Sequence, residues 1–411
     1  MTQSARLWPW SLFAALIAAA GLPIYIHAPK VYVDDYGVSL ASLGAVLALL
    51  RLIDVVQDPL LGWLAEATRA HRRIWVAAAS VLLAGSMLSL FAVPPPIAPL
   101  IWFALCLTGL FSAFSFLTIA FYAQGVDLAT RLGETGHIAL AGWRETGSLI
   151  GVSVAAVAPV ALATVMDRPF TGFALGFAVF ALVAAVSMRH NWRASALRPK
   201  ARGVMLFRPA LADPLARRLL VLALINSAPV AVTSTLFLFF VESRLGMAPW
   251  AGPFLLLFFL SAAATAQIWS RLGARYGEKP VLLASMALSI ASFLWAMALG
   301  TGDGLAFALI SVASGAALGG DMVLLPALFA RRLERLGNAG AGFGLWSFVS
   351  KLSLALAAAT LLPALDWAGF SSGGQNPPEA LFVLTLLYAG LPCALKLLAL
   401  ALLTLLPIEK V

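Results

Sequence analysis

The chain has 411 residues, of which 62% are hydrophobic and only 11% charged, with a formal net charge of +9. A soluble globular protein carries roughly 25% charged residues, so a water-soluble enzyme or binding module is excluded and an integral membrane protein is expected. The basic residues fall almost wholly in short stretches between apolar runs, which is the orientation signal of a polytopic membrane protein and argues against nucleic acid as a partner.

Apolar runs of about 20 residues, each long enough to span roughly 30 Å of hydrocarbon, recur with short breaks. Twelve spans are predicted, near residues 8–32, 39–65, 74–94, 99–123, 138–164, 170–188, 218–241, 250–270, 280–300, 304–329, 340–365 and 380–407. The first run is followed by further spans and reads as a retained helix. It ends with Tyr25, His27, Lys30 and Tyr32 near the outer side. His27 is either a proton-sensing or substrate-bonding imidazole or a satisfied interfacial group, and Tyr25 is either a substrate contact or part of an aromatic belt.

In the second span residues 51–62 read R-L-I-D-V-V-Q-D-P-L-L-G. Asp54 and Asp58 are four apart, so both carboxylates project from one helix face, with Arg51 one turn before them and Gly62 one turn after. A charge near the bilayer centre costs at least roughly 2.5–3.5 kcal/mol, which makes an intramembrane acid a candidate functional group. Two like charges on one turn need a cation or a proton to relieve them, and hard cations take oxygen ligands. The alternative is a structural salt bridge, such as Asp54 with Arg51.

The remaining intramembrane charges are Arg144 and Glu145 in helix 5, Asp321 in helix 10, Lys351 in helix 11 and Lys396 in helix 12. Acids Asp54, Asp58, Glu145 and Asp321 face bases Arg51, Arg144, Lys351 and Lys396, so full mutual pairing inside a bundle is possible. Arg144 and Glu145 are candidate substrate contacts, although Arg144 is close enough to its span's end to snorkel. Asp321, beside Gly319, Gly320 and Pro326, has a substrate or proton role or is a packed structural acid. Lys351 lies too deep for easy snorkelling and is read as a partner of the helix 2 acids. Trp346, one turn plus one residue before it, stacks on a substrate ring or simply packs. Lys396 is read as structural or lipid-facing. Glycine pairs 147/151 and 315/319 allow close helix approach but do not discriminate among membrane proteins. Cys106 and Cys393 fall within spans, so no disulfide framework is indicated.

Loop charge sets the orientation. With the N-terminus in the cytoplasm, Arg69, Arg72, Arg73, Arg131, Arg271, Arg275, Lys279, Arg331, Arg332 and Arg335 occupy inner loops, while the outer loops hold little beyond Arg168 and Arg244. Both termini are thus expected in the cytoplasm of a cell (inner) membrane protein. A basic inner segment, 189–217, separates a six-helix bundle at 1–188 from another at 218–411. The halves echo each other weakly: Y-V-D-D-Y-G-V-S at 32–39 against F-V-E-S-R-L-G-M at 240–247, and G-W-L-A-E-A-T-R-A-H-R-R at 62–73 against W-S-R-L-G-A-R-Y-G-E-K at 269–279.

The loop formed by Gly62, Glu66, Arg69, Arg72 and Arg73 resembles the Gly-x-x-x-Asp-Arg-type gate of the major facilitator superfamily. More closely, Asp54-x-x-x-Asp58-Pro59-x-x-Gly62, preceded by Arg51, is similar to the helix 2 signature of the glycoside-pentoside-hexuronide:cation symporters, the melibiose-permease family. W-S-F-V-S-K-L-S-L-A-L-A at 346–357 resembles that family's helix 11 segment. The resemblance implies that Asp54 and Asp58 bind a coupling sodium or proton, with Lys351 as their partner, Gln57 as a polar neighbour of the cation and Ser115 as a helix 4 ligand. It also places Tyr122 and Arg144 around a sugar. Two departures stand out: the carboxylates that hold a galactoside in the family's melibiose carriers correspond to Ala18 and Thr118, and the acidic segment after helix 10 is replaced by A-R-R-L-E-R at 330–335.

The expectation is therefore an all-α membrane protein of twelve transmembrane helices in two pseudo-symmetric halves with a midplane cavity. It would be a monomeric secondary transporter that couples a small polar solute, a sugar or glycoside, to sodium or protons and uses no other cofactor. A lipid or lysolipid carrier is the alternative. A membrane-embedded enzyme is disfavoured, since neither a Gly-x-Ser-x-Gly elbow, a phosphate-cradling loop nor metal-ligand spacing is found.

Overall fold

The computed structural model describes residues 7–21, 28–29, 31–33, 35–192, 207–371 and 376–406. By packing it divides into two compact units, Met1–Ala210 with Leu333–Phe348, and Leu211–Arg332 with Val349–Val411. Every described element is helical.

The first unit holds α1 (Trp8–Ala19), α2 (Leu40–Ala67), α3 (Arg72–Phe91), α4 (Pro99–Leu132), α5 (Gly136–Leu162) and α6 (Pro169–Met188). α2 starts where Ser39 accepts a hydrogen bond from the Ser42 amide at 3.2 Å, satisfying one of the open donors of the first turn. Proline sits in the first turn of α1, α4 and α6, where its missing N–H costs nothing and its fixed φ suits the helix. α1 lies directly on α5: a Cβ on Gly147 would meet the Ser11 backbone and one on Gly151 the Ala15 backbone. Trp10 stacks on Phe121 of α4 at 3.9 Å between centroids, closing this core from the other side.

The second unit holds α7 (Pro214–Phe239), α8 (Ala251–Tyr276), α9 (Glu278–Ala296), α10 (Gly304–Leu336) for most of its length, and α12 (Pro378–Leu405). A short helix, Arg208–Ala212, precedes α7, whose N-cap is Asp213, accepting from the Ala216 amide at 2.7 Å. α7 runs on into a π-helical turn at Phe240–Arg244, and α12 contains another at Leu386–Gly390. Phe240 and Tyr388, one on each turn, stack at 4.1 Å, with Phe254 and Phe307 around them. α11 (Ala339–Trp367) is shared: its first residues pack in the first unit and the rest, from Val349, in the second.

Nine helical stretches among the described residues are long and apolar enough to cross a membrane. α2 and α5, with 28 and 27 residues, are about 40 Å long at 1.5 Å per residue, ample for a bilayer, and α1 is a shorter apolar helix. Together these make the twelve span positions.

Candidate functional site

α2 carries the acids inward. Asp58 is fully buried and Asp54 nearly so, at 0% and 7% exposure. Gln57 Nε2 donates to Asp54 Oδ1 at 2.7 Å, Ser115 Oγ of α4 donates to the same oxygen at 3.3 Å, and Ser112 Oγ donates to Gln57 Oε1 at 3.0 Å. Ser347 Oγ of α11 donates to Asp58 Oδ2 at 2.5 Å. The result is a cluster of carboxylate, amide and hydroxyl oxygens, one helical turn deep, which is the ligand chemistry of a hard monovalent cation or a bound proton. Asp54, Gln57 and Ser115 are brought together, and Asp58, one turn along α2, accepts from Ser347. Lys351 follows Ser347 by four residues on α11 and so shares its face, but belongs to the second unit.

About two turns beyond Ser115 on α4, Tyr122 lies under the Arg144 guanidinium, 3.9 Å from ring centroid to Cζ. Arg144 Nε donates to Glu145 Oε1 at 2.6 Å, and both side chains are buried. Phe343 of α11 meets the Tyr122 ring edge-on at 4.9 Å. Arg144 therefore points into the protein rather than snorkelling to an interface. Trp346 is partly buried on the same stretch of α11. Thr118 donates to its own helix at the Phe114 carbonyl. Tyr25 and His27 lie outside the described residues, as does the Arg51 side chain.

At the basic-loop end of α2, Glu66 is 2% exposed and bonds both to Arg69 Nη1, at 2.5 Å, and to the Gly340 amide at the start of α11, at 3.0 Å. Arg69 also reaches the Gly337 carbonyl at 3.5 Å. Arg72 donates to Gln124 Oε1 at 2.7 Å and Asp127 Oδ2 at 2.8 Å on α4. A Cβ on Gly62 would stand 2.8 Å from the Gly344 Cα, so the two backbones touch. His137 Nε2 of α5 and Glu334 Oε2 of α10 add a hydrogen bond at 2.5 Å. Gly62, Glu66 and Arg69 thus meet the α10–α11 turn and the start of α11, while Arg72 ties the same loop to α4.

Asp321 sits elsewhere, in the second unit. Lys396 of α12 pairs with it and donates to Asn226 Oδ1 of α7 at 2.7 Å, while Ser285 Oγ of α9 lies 3.4 Å from Asp321 Oδ1. Lys396 is 2% exposed, which corrects the lipid-facing reading of this lysine: a buried acid on α10 draws the ammonium inward, because neither charge is affordable alone in hydrocarbon.

Sequence reasoning missed Ser112, Ser347, Asn226, Ser285 and His137. Ser112 and Ser347 had a signal: each stands three or four residues from a residue already singled out, Ser115 and Lys351, and so on the same helix face. Asn226 and Ser285 are single polar residues in apolar spans, with no spacing to mark them.

The family model for the MFS/sugar transport proteins matches residues 11–410. No curated protein matches the chain. Among solved structures it is similar to a bacterial homologue of the iron transporter ferroportin in an outward-facing state, with 14% identity, a TM-score of 0.74, and 99% of this chain and 100% of that chain covered. The same homologue soaked with iron matches at 15% identity and a TM-score of 0.72, over 97% and 98%. At such identity the likeness shows the fold alone, and it agrees with the twelve helices described above. The chain belongs to the MFS/sugar transport (melibiose-permease-like) family of the major facilitator superfamily, all-α transporters that cross the membrane many times.

Proposed function

We propose that the protein is a cation-coupled symporter that moves a small polar solute, a sugar or glycoside, by alternating access. The observation that carries this reading is the buried pair Asp54 and Asp58, each with a hydroxyl donor from another helix. Sodium or a proton binds the two carboxylates with Gln57 and Ser115 as neighbours. Lys351, on the Ser347 face of α11, is the counter-charge that the cation displaces. Only the neutralised, occupied site then passes between open faces without leaving a charge unpaired in hydrocarbon. One positive charge crossing about 100 mV supplies roughly 2.3 kcal/mol before any concentration term.

Tyr122, Arg144, Glu145 and Trp346 form the solute side of the site, and Asp321, paired with Lys396 in the second unit, has a structural role. The lock at Glu66, Arg69 and Arg72 closes the cytoplasmic side of a monomer whose termini face the cytoplasm. Ala18 and Thr118, where a galactoside carrier has carboxylates, favour a second reading in which the cargo is a lysolipid or other amphiphile. A panel of sugars, glycosides and lysolipids, tested for uptake into proteoliposomes with and without sodium and across pH, separates the two. Sugar uptake that rises with sodium or acid outside supports symport, and lysolipid uptake alone supports the second reading.

A further inference from the structure

At the end of the first unit remote from the basic loops lies a cavity of about 520 Å³. Its walls come from three places in the chain: Asp35 and Tyr36 after the first span, Phe91 at the end of α3, and Asp167, Arg168 and Phe170 at the start of α6. Cross-links hold the walls together. Tyr32 packs on Tyr36 at 5.1 Å and donates to the Leu90 carbonyl at 3.4 Å. Phe91 stacks on Phe170 at 5.6 Å, and Thr171 donates to the Phe91 carbonyl at 3.1 Å.

Two features say what fits. The candidate spans bordering the cavity end at Phe91 and begin at Pro169, and each leaves most of its apolar length exposed on the outside of the protein. These are lipid-facing helices, and the cavity stands at their ends, where headgroups lie. Its charges are mixed: Asp35 and Asp167 against Arg168, all three exposed, beside apolar rings. A purely anionic ligand would meet a net negative wall, and a simple cation would meet the guanidinium.

We propose that this cavity is a phospholipid headgroup site selective for a primary ammonium, as in phosphatidylethanolamine. Arg168 takes the phosphodiester, as guanidinium groups do in two-pronged fashion. Asp35 and Asp167 accept hydrogen bonds from the ammonium, and Tyr36, Phe91 and Phe170 cover the glycerol region. A trimethylated ammonium offers no N–H to these carboxylates, and a glycerol headgroup offers no positive charge.

The test uses the purified full chain in detergent, titrated with phosphatidylethanolamine, phosphatidylcholine or phosphatidylglycerol of matched acyl chains. Bound lipid is read by native mass spectrometry and stabilisation by melting temperature. The expected result is retention of phosphatidylethanolamine about tenfold over the other two, the order of one charge-assisted hydrogen bond. Asp35→Asn with Asp167→Asn should bring it down to the phosphatidylcholine level, and Arg168→Gln should weaken all three lipids, each variant melting normally in lipid-free detergent. Equal retention of phosphatidylethanolamine and phosphatidylcholine, a preference for phosphatidylglycerol, or a preference unmoved by these substitutions would overturn the proposal.

Discussion

Asp58 and Asp321 are both buried acids in membrane spans, yet their surroundings differ. Asp321 has a lysine as its partner, with an asparagine and a serine completing a closed cluster. Asp58 has the Ser347 hydroxyl at 2.5 Å on a face that continues to Lys351. The first arrangement is a buried ion pair, and the second offers a carboxylate oxygen to the proposed cation. Lys396→Met should destabilise the protein by about 3–5 kcal/mol, because it leaves a buried carboxylate uncompensated, while Lys396→Met with Asp321→Leu should recover most of the loss; thermal unfolding in detergent measures both. Ser347→Ala removes one hydrogen bond to a charged group, worth about 1.5–3 kcal/mol. It should shift the cation concentration for half-maximal uptake by roughly tenfold or more while leaving the fold intact.

Helices α2 and α11 meet over two turns, where Gly62 faces Gly344 and Glu66 caps the Gly340 amide. A side chain at Gly62 would stand 2.8 Å from the Gly344 Cα and 3.0 Å from the Gly340 carbonyl, and neither backbone can move aside cheaply. Gly62→Val should cost about 1–3 kcal/mol in this contact and loosen the lock, which would appear as faster labelling of a cysteine placed at residue 337. A second tie holds the start of α7. Arg332 bonds Asp213 through both carboxylate oxygens, at 3.0 Å and 2.5 Å, and holds its carboxyl below the usual carboxylate range. A carboxyl depressed in the folded state stabilises fully above its unfolded value, near 4, and loses that contribution as pH falls through the lower folded value. Melting temperature should therefore drop in acid below about pH 4. Asp213→Asn should melt lower at neutral pH and lose this part of the acid dependence.

For the whole molecule, membrane character and span order were legible because lipid forces long apolar runs on the chain. The acid pair on α2 was legible for the same reason in reverse, since a charge in such a run stands out. What escaped was whatever depends on which helices meet. Lys396 looked like a peripheral lysine until α12 was seen beside α10, and Asn226 became notable only once Lys396 was seen to reach it on α7. His137 and Glu334, about 200 residues apart, could not be paired by spacing at all. The cation-coupling role of Asp54 and Asp58 is the centre of the functional account. Its most direct test is solute uptake into proteoliposomes under an imposed sodium or proton gradient, comparing the wild type with Asp58→Asn. The account predicts that the wild type accumulates solute only with the gradient and that Asp58→Asn loses the gradient dependence while still folding and inserting. Gradient-driven accumulation by Asp58→Asn equal to that of the wild type would contradict it.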